Sequence, residues 1–150
     1  MGISERIYDR LKQAMRDRDK PLILALRNIR GELQKAEKAK LKPLTNEEVI
    51  QNLSRQAKRC RDAVVEFKRA ARMDMVAKEE GELEIILGYL PKQAGREEIE
   101  TIARHIIADL RVKSRSDMGK VMAPLMGQFR GNADGSLVSK IVGELLDELE

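Results

Sequence analysis

Apolar residues recur three and four positions apart along nearly the whole chain, the spacing that lines one face of an α-helix. Ile3, Ile7, Leu11 and Met15 form the first stripe and predict a helix over 3–17. After the polar connector Asp17-Arg18-Asp19-Lys20, Pro21 suits a first helical turn, and Leu22, Leu26, Ile29, Leu33 and Ala36 carry a second helix to about residue 40. Leu41-Lys42-Pro43-Leu44 breaks the pattern. Thr45-Asn46-Glu47-Glu48 then reads as a capping box, in which the Thr side chain and Glu48 satisfy each other's free amides. The third helix, 46–72, carries Val49, Leu53, Ala57, Cys60, Val64, Phe67 and Ala71 inward. Met73-Asp74 reads as a joint with Asp74 as a cap, and a fourth helix uses Val76, Leu83, Ile86, Leu87 and Leu90 before Pro91 stops it.

Pro91-Lys92-Gln93-Ala94-Gly95 marks the domain boundary. Three shorter helices follow, over 96–110, 117–128 and 134–148. Their stripes are Ile99, Ile102, Ala103, Ile106, Ile107 and Leu110; Met118, Val121, Met122, Leu125 and Met126; and Leu137, Val138, Ile141, Val142, Leu145 and Leu149. No segment alternates or is β-branched enough to read as a strand. The expected fold is all-α, with an N-terminal bundle of long helices over 1–92 and a small three-helix C-terminal domain over 93–150.

Composition sharpens this picture. Aromatic residues are 3% and Trp is absent, so Leu, Ile, Val, Met and Ala must build the cores. Charged residues are 36%, chiefly Glu, Lys and Arg, the usual surface of helices. No apolar run approaches the ~20 residues needed to span a bilayer. The N-terminus lacks the apolar stretch of a signal peptide, and the single cysteine, Cys60, cannot form an internal disulfide or a zinc site. These features point to a soluble protein of the cytoplasm, with Cys60 as a small core residue.

The net charge of +4 is unevenly spread. Residues 51–72 carry seven Lys/Arg against two Asp/Glu, and 111–130 carry five against one, whereas 73–90 and 131–150 are net acidic. Basic faces of this kind suit phosphates, although long cationic side chains also simply solvate helices. Catalytic chemistry is poorly represented. His105 is the only imidazole and has no carboxylate or thiol at a ligand offset, so neither a nucleophilic triad nor a metal site is expected. Glu79-Glu80, Glu97-Glu98 and Asp147-Glu148 fall on expected helix surfaces or ends, and no nucleotide loop is present. The methionines 118, 122 and 126 share one stripe and read as core, with a partner groove as the alternative.

The most distinctive stretch is Ser116-Asp117-Met118-Gly119-Lys120-Val121-Met122, followed by Phe129-Arg130-Gly131-Asn132-Ala133-Asp134-Gly135-Ser136. A glycine inside a helix costs about 1 kcal/mol against alanine, so Gly119 implies close approach of a backbone or a ligand. The loop from Gly131 to Gly135 leads into a helix N-terminus. Two readings stay open there: free amides that seat an anion, with Lys113, Arg115, Lys120 and Arg130 around it, or a well-made loop capped by Asp134 or Ser136.

These residues resemble the GatB/YqeY family. The likeness rests on Asp117-Met118-Gly119-Lys120-Val121-Met122, on Gly131-x-Ala133-Asp134-Gly135 and on the register Val138-x-x-x-Val142-x-x-x-Leu146. Upstream, Leu26-Arg27-Asn28-Ile29-Arg30, Gln56-x-Lys58-Arg59 with Asp62 and Phe67, and Glu82-Leu83-x-Ile85-Ile86-x-x-Tyr89-Leu90-Pro91 agree with it. The resemblance implies a helical module similar to the tail of the B subunit of the glutamine-dependent amidotransferase that converts Glu-tRNA(Gln) or Asp-tRNA(Asn). That tail grips tRNA while the chemistry happens elsewhere. It further implies a non-catalytic binder of tRNA or another structured RNA; the methionine-rich helix and the acidic last helix motivate a second reading, a protein-interaction module that docks on an amidotransferase or another translation component. A carbon–nitrogen ligase label with glutamine as donor travels with the family, but no residue here supports that chemistry, and no cofactor is expected. The B-subunit tail carries proline after Ala-Asp where this chain has Gly135, which favours Asp134 as a cap over an RNA contact. The expected RNA-binding residues are Lys113, Arg115, Lys120 and Arg130, joined by the basic face of the third helix at Arg55, Lys58, Arg59 and Arg61.

Overall fold

The computed structural model describes residues 2–129 and 132–149. Among them every regular element is helical: α1 (Ile3–Asp17), α2 (Lys20–Lys40), α3 (Asn46–Arg69), α4 (Met73–Tyr89), α5 (Arg96–Leu110), a 3₁₀ turn (Arg115–Asp117), α6 (Met118–Gln128) and α7 (Gly135–Asp147). The chain forms two compact units, 1–91 and 92–150.

In the first unit α1 packs on α2 and α3 on α4, and α2 packs against both α3 and α4. Ile7, Leu11, Leu26, Ile29, Leu33, Leu53 and Ile86 are buried in one cluster. Full burial of each such side chain contributes about 1.5–3 kcal/mol. Two local signals set the frame. Asp19 caps α2 by accepting from the Leu22 amide at 3.3 Å. The capping box of α3 forms as the sequence predicts: the Glu48 amide donates to Thr45 Oγ1 at 3.2 Å and the Thr45 amide donates to Glu48 at 3.1 Å. Lys40 at the end of α2 pairs with the same carboxylate, and its hydrogen bond, followed by that of the Thr45 backbone, holds Glu48 down to about 2.

In the second unit α5, α6 and α7 pack against one another around Ile99, Ala103, Val121, Leu125, Phe129, Val138, Ile141 and Leu146. Met118, Met122 and Met126 are partly buried against this core, so the methionine stripe serves packing. Pro124 lies inside α6 on its exposed side, where the missing N–H leaves the Lys120 carbonyl without its helical donor.

Several stripes depart from expectation. Met15 is 48% exposed, and Ala14 takes the inward place at the end of α1. Leu110 and Leu149 are 49% and 55% exposed: Leu110 is the last residue of α5, and Leu149 lies beyond the end of α7. The third helix stops at Arg69 rather than 72; Val64 and Phe67 are half-buried and Ala71 is exposed with a left-handed φ of 55°. Asp74 does not cap α4. It lies inside the first turn and pairs with the Arg72 guanidinium at 3.3 Å, while Arg72 occupies the cap position without a side-chain cap bond.

Candidate functional site

The cations expected to meet RNA lie on the surfaces of their own units. On α3, Arg55, Lys58 and Arg59 are all exposed and Arg61 is half-buried. Lys58 pairs with Asp62 at 3.1 Å, and Arg59 reaches Glu32 of α2 at 3.3 Å, which Lys35 also approaches at 3.2 Å. Arg55 makes no ion pair with the described residues. Residues 51–61 nevertheless hold four cations and no carboxylate across three turns. In the second unit Lys113, Arg115 and Lys120 are exposed. Arg115 pairs with Asp147 at 2.9 Å and Lys120 with Asp117 at 3.3 Å. Arg130 and Gly131 lie outside the described residues.

The glycine motif resolves differently from its sequence reading. A Cβ built on Gly119 would meet nothing within 4 Å among the described residues, so none of them requires glycine there. The close approach falls at Gly143 of α7, where a Cβ would lie 2.8 Å from Arg115 Nη2 and 3.2 Å from Met118 Cε. Sequence reasoning singled out Gly119 and missed Gly143, because the cost of a helical glycine is the same at either position and only the packing of Arg115 and Met118 on α7 tells them apart. Asp117 precedes α6 without a side-chain cap bond, and Met118 opens that helix. Asp134 accepts from the Ser136 amide at 3.2 Å, and Gly135 is the first residue of α7. An anion approaching this terminus meets a carboxylate already seated at one of its free amides, so the arrangement is a cap.

A second feature emerges only in three dimensions. Arg27 and Asn28 of α2, Gln56 and Arg59 of α3, and Glu82 of α4 come from three separate segments of the family-like pattern, and they line one cleft of about 450 Å³. Cys60, Glu79, Lys78 and Glu32 complete its polar wall. Beneath it Gln56 is 4% exposed and Asn52 8%. Gln56 Nε2 donates to the Ile29 carbonyl at 3.3 Å and to Asn52 Oδ1 at 2.8 Å, tying α3 to α2 through a carboxamide that the apolar stripe did not include.

The cleft perturbs its titratable groups. Burial first, then the negative charges of Glu82 and Glu79, push the Cys60 thiol up to about 12, and the thiol donates to Glu79. Burial and the neighbouring Glu79 raise Glu82, against a hydrogen bond from Asn28 and the fields of Lys78 and Arg59. Hydrogen bonds from Lys35 and Arg59 lower Glu32. Glu79, expected on a helix surface, is therefore a half-buried wall residue. His105 is exposed on α5.

Two other surface features stand out. Arg30 and Lys12 sit over the Tyr8 ring, 4.0 and 4.7 Å from its centroid, so this aromatic is already engaged by cations. In the second unit a groove of about 570 Å³ is lined by Ile107, Val112, Leu145 and Leu149 and rimmed by Arg104, Arg111 and Lys113. Among the described residues no group of three or more metal-ligating side chains forms, and no helix is long and apolar enough to cross a membrane.

Known proteins bear on this arrangement. The chain is 32% identical over 145 residues to the protein named altered inheritance of mitochondria protein 41, mitochondrial, of Pyrenophora tritici-repentis, covering 94% of this chain and 79% of that one. It is 27% identical over 88 residues to an uncharacterized protein of Schizosaccharomyces pombe, covering 59% of this chain and 72% of the relative. The family model of Yqey-like proteins spans residues 4–146, taking in both helical units, the cleft and the Asp117–Met122 segment, and the chain belongs to that family.

Proposed function

We propose that this chain is a non-catalytic RNA-binding accessory protein, with tRNA or another folded RNA as its ligand. The observation that carries this reading is the run of α3 between residues 51 and 61, with Arg55, Lys58, Arg59 and Arg61 and no carboxylate within it. The pairs that Lys58 and Arg59 make are surface pairs, each contributing about 0–1 kcal/mol, so phosphates can replace them at small cost. Lys113, Arg115 and Lys120 give the second unit its own cationic surface by the same logic, and the family resemblance extends it to Arg130. Recognition rests on backbone and shape, because aromatic residues for base stacking are scarce and the 40% exposed Tyr8 already has Arg30 and Lys12 over its ring. No bond-forming step is assigned, and a carbon–nitrogen ligase activity would have to come from a partner.

Filter binding to folded tRNA across a salt series tests the proposal. Retention is expected at low salt, with the logarithm of affinity falling linearly against the logarithm of salt. Substituting Arg55 and Lys58 together by Ala should weaken binding evenly across RNA sequences and flatten that slope. Absence of retention at low salt would end the reading.

The groove between α5 and α7 favours a second reading, a protein-interaction module of the translation machinery. Co-purification of an amidotransferase or another translation protein that survives nuclease treatment would select it. As to location, the Pyrenophora relative is mitochondrial by name. The cytoplasm and the mitochondrial interior both enter the proposal as reducing compartments suited to a free, buried Cys60. Fractionation with a tagged chain separates them.

A further inference from the structure

We propose that the cleft between α2, α3 and α4 binds a small zwitterion, a free α-amino acid or a close analogue bearing both an amine and a carboxylate. The argument starts from its floor. Helix packing at residues 52 and 56 would be met by apolar side chains, and burying carboxamides instead costs free energy unless their polar atoms are matched. Gln56 matches its amide through Ile29 and Asn52 and so fixes a carboxamide in the floor of the cleft.

The walls carry charge of both signs. Glu79 and Glu82 form no ion pair with the described residues, although both face a partly desolvated cleft, and Glu79 acts on Glu82 as a like charge. On the same walls the exposed Arg27 and Lys78 make no ion pair with the described residues, and Lys78 acts on Glu82 through its field. Glu32, by contrast, is satisfied by Lys35 and Arg59. The cleft thus sets two half-buried carboxylates that make no ion pair with the described residues, one in reach of the Cys60 thiol and one of Asn28, against an exposed guanidinium and an exposed ammonium that make none either.

A simple anion would gain Arg27 and Lys78 but face Glu79 and Glu82. A simple amine would gain the carboxylates but face the cations Arg27, Lys35, Arg59 and Lys78 of the wall. Only a ligand with both charges matches both sets, its ammonium against Glu79 and Glu82 and its carboxylate against Arg27 and Lys78. The volume, about 450 Å³, is in the range of small-molecule sites.

The test is a ¹H–¹⁵N NMR titration of the full chain with L-glutamate, L-lysine and L-leucine, each alongside its N-acetyl and its carboxamide derivative. Saturable shifts at the amides around Arg27, Gln56 and Glu82 are expected for at least one free amino acid. Both derivatives should bind roughly tenfold more weakly or not at all, the weight of a lost charge-assisted hydrogen bond. Glu79→Gln with Glu82→Gln should produce the same loss, with the fold checked by circular dichroism. The derivative series on the unaltered chain decides the matter should that variant unfold. Equal binding of an N-acetyl derivative would make this an anion site, and equal binding of a carboxamide an amine site. Either result overturns the proposal, as does the absence of saturable shifts at tens of millimolar. RNA binding is not needed for any arm, so the two proposals fail separately.

Discussion

Single residues set the chemistry of the first unit in ways that their types alone do not disclose. Cys60 is 5% exposed, and its thiol is pushed up to about 12 by burial and by Glu82 and Glu79. A thiolate is the reactive form, so at pH 8 the native protein holds a reactive fraction of only about 10⁻⁴. The direction for stability follows. A group whose pKa is raised by folding supports the fold fully below its unfolded value, near 9.0, and loses that support as pH rises toward 12. Native protein should resist alkylation at pH 8 and label completely in denaturant, with stability declining above pH 9. Rapid native labelling would mean that Cys60 is open to solvent. Leu41 makes a different point. It ends α2 in a left-handed conformation, φ 64°, with its side chain 87% exposed. A side chain in that region costs about 1–2 kcal/mol, and glycine gives back part of this through its looser unfolded state. Leu41→Gly should raise stability by up to about 1 kcal/mol in denaturant unfolding. A loss would show that the exposed leucine has a contact in solution.

At the scale of elements, starts were more legible than ends. The capping box at Thr45 and Glu48 and the cap at Asp134 announce their helices through residue types that have one efficient use there. The ends at Arg18, Leu41 and Arg111 are left-handed without glycine, so no residue type marks them. The apolar stripes found the cores, but period alone does not say where a neighbour stops; hence Met15, Leu110 and Leu149 emerge into solvent. The candidate site was legible only in pieces. Arg27, Gln56, Arg59 and Glu82 stood in the sequence as separate motifs, and only the packing of α2, α3 and α4 joins them. The Asp134 cap carries a prediction of its own. Asp134→Ala should lower the stability of the second unit by about 1 kcal/mol, measured by thermal unfolding, with tRNA affinity unchanged. Tighter tRNA binding by that variant would show that the α7 terminus seats a phosphate and that the carboxylate competes with it.

For the whole molecule, the decisive feature is that burial divides at the same place as the chain. The cluster of the first unit draws on residues between Ile3 and Leu90, and that of the second on residues between Ala94 and Leu146, with no member in common. The apolar term that drives folding is proportional to the surface each cluster removes from water, so each unit holds its driving force within its own sequence. The second unit, 92–150, is near the lower size at which a domain folds unaided, yet thirteen of its residues are buried in one cluster and α7 alone supplies Val138, Ile141, Val142, Leu145 and Leu146. Expressed separately, fragments 1–91 and 92–150 should each unfold cooperatively on heating, and the smaller fragment should melt at the lower temperature. Leu125→Ala should cost the second fragment about 2–5 kcal/mol and abolish its transition, while the melting of 1–91 cannot respond to it. A fragment 92–150 that shows helical signal but no cooperative transition would mean that this core needs the rest of the chain, and that the two clusters are halves of one folding unit.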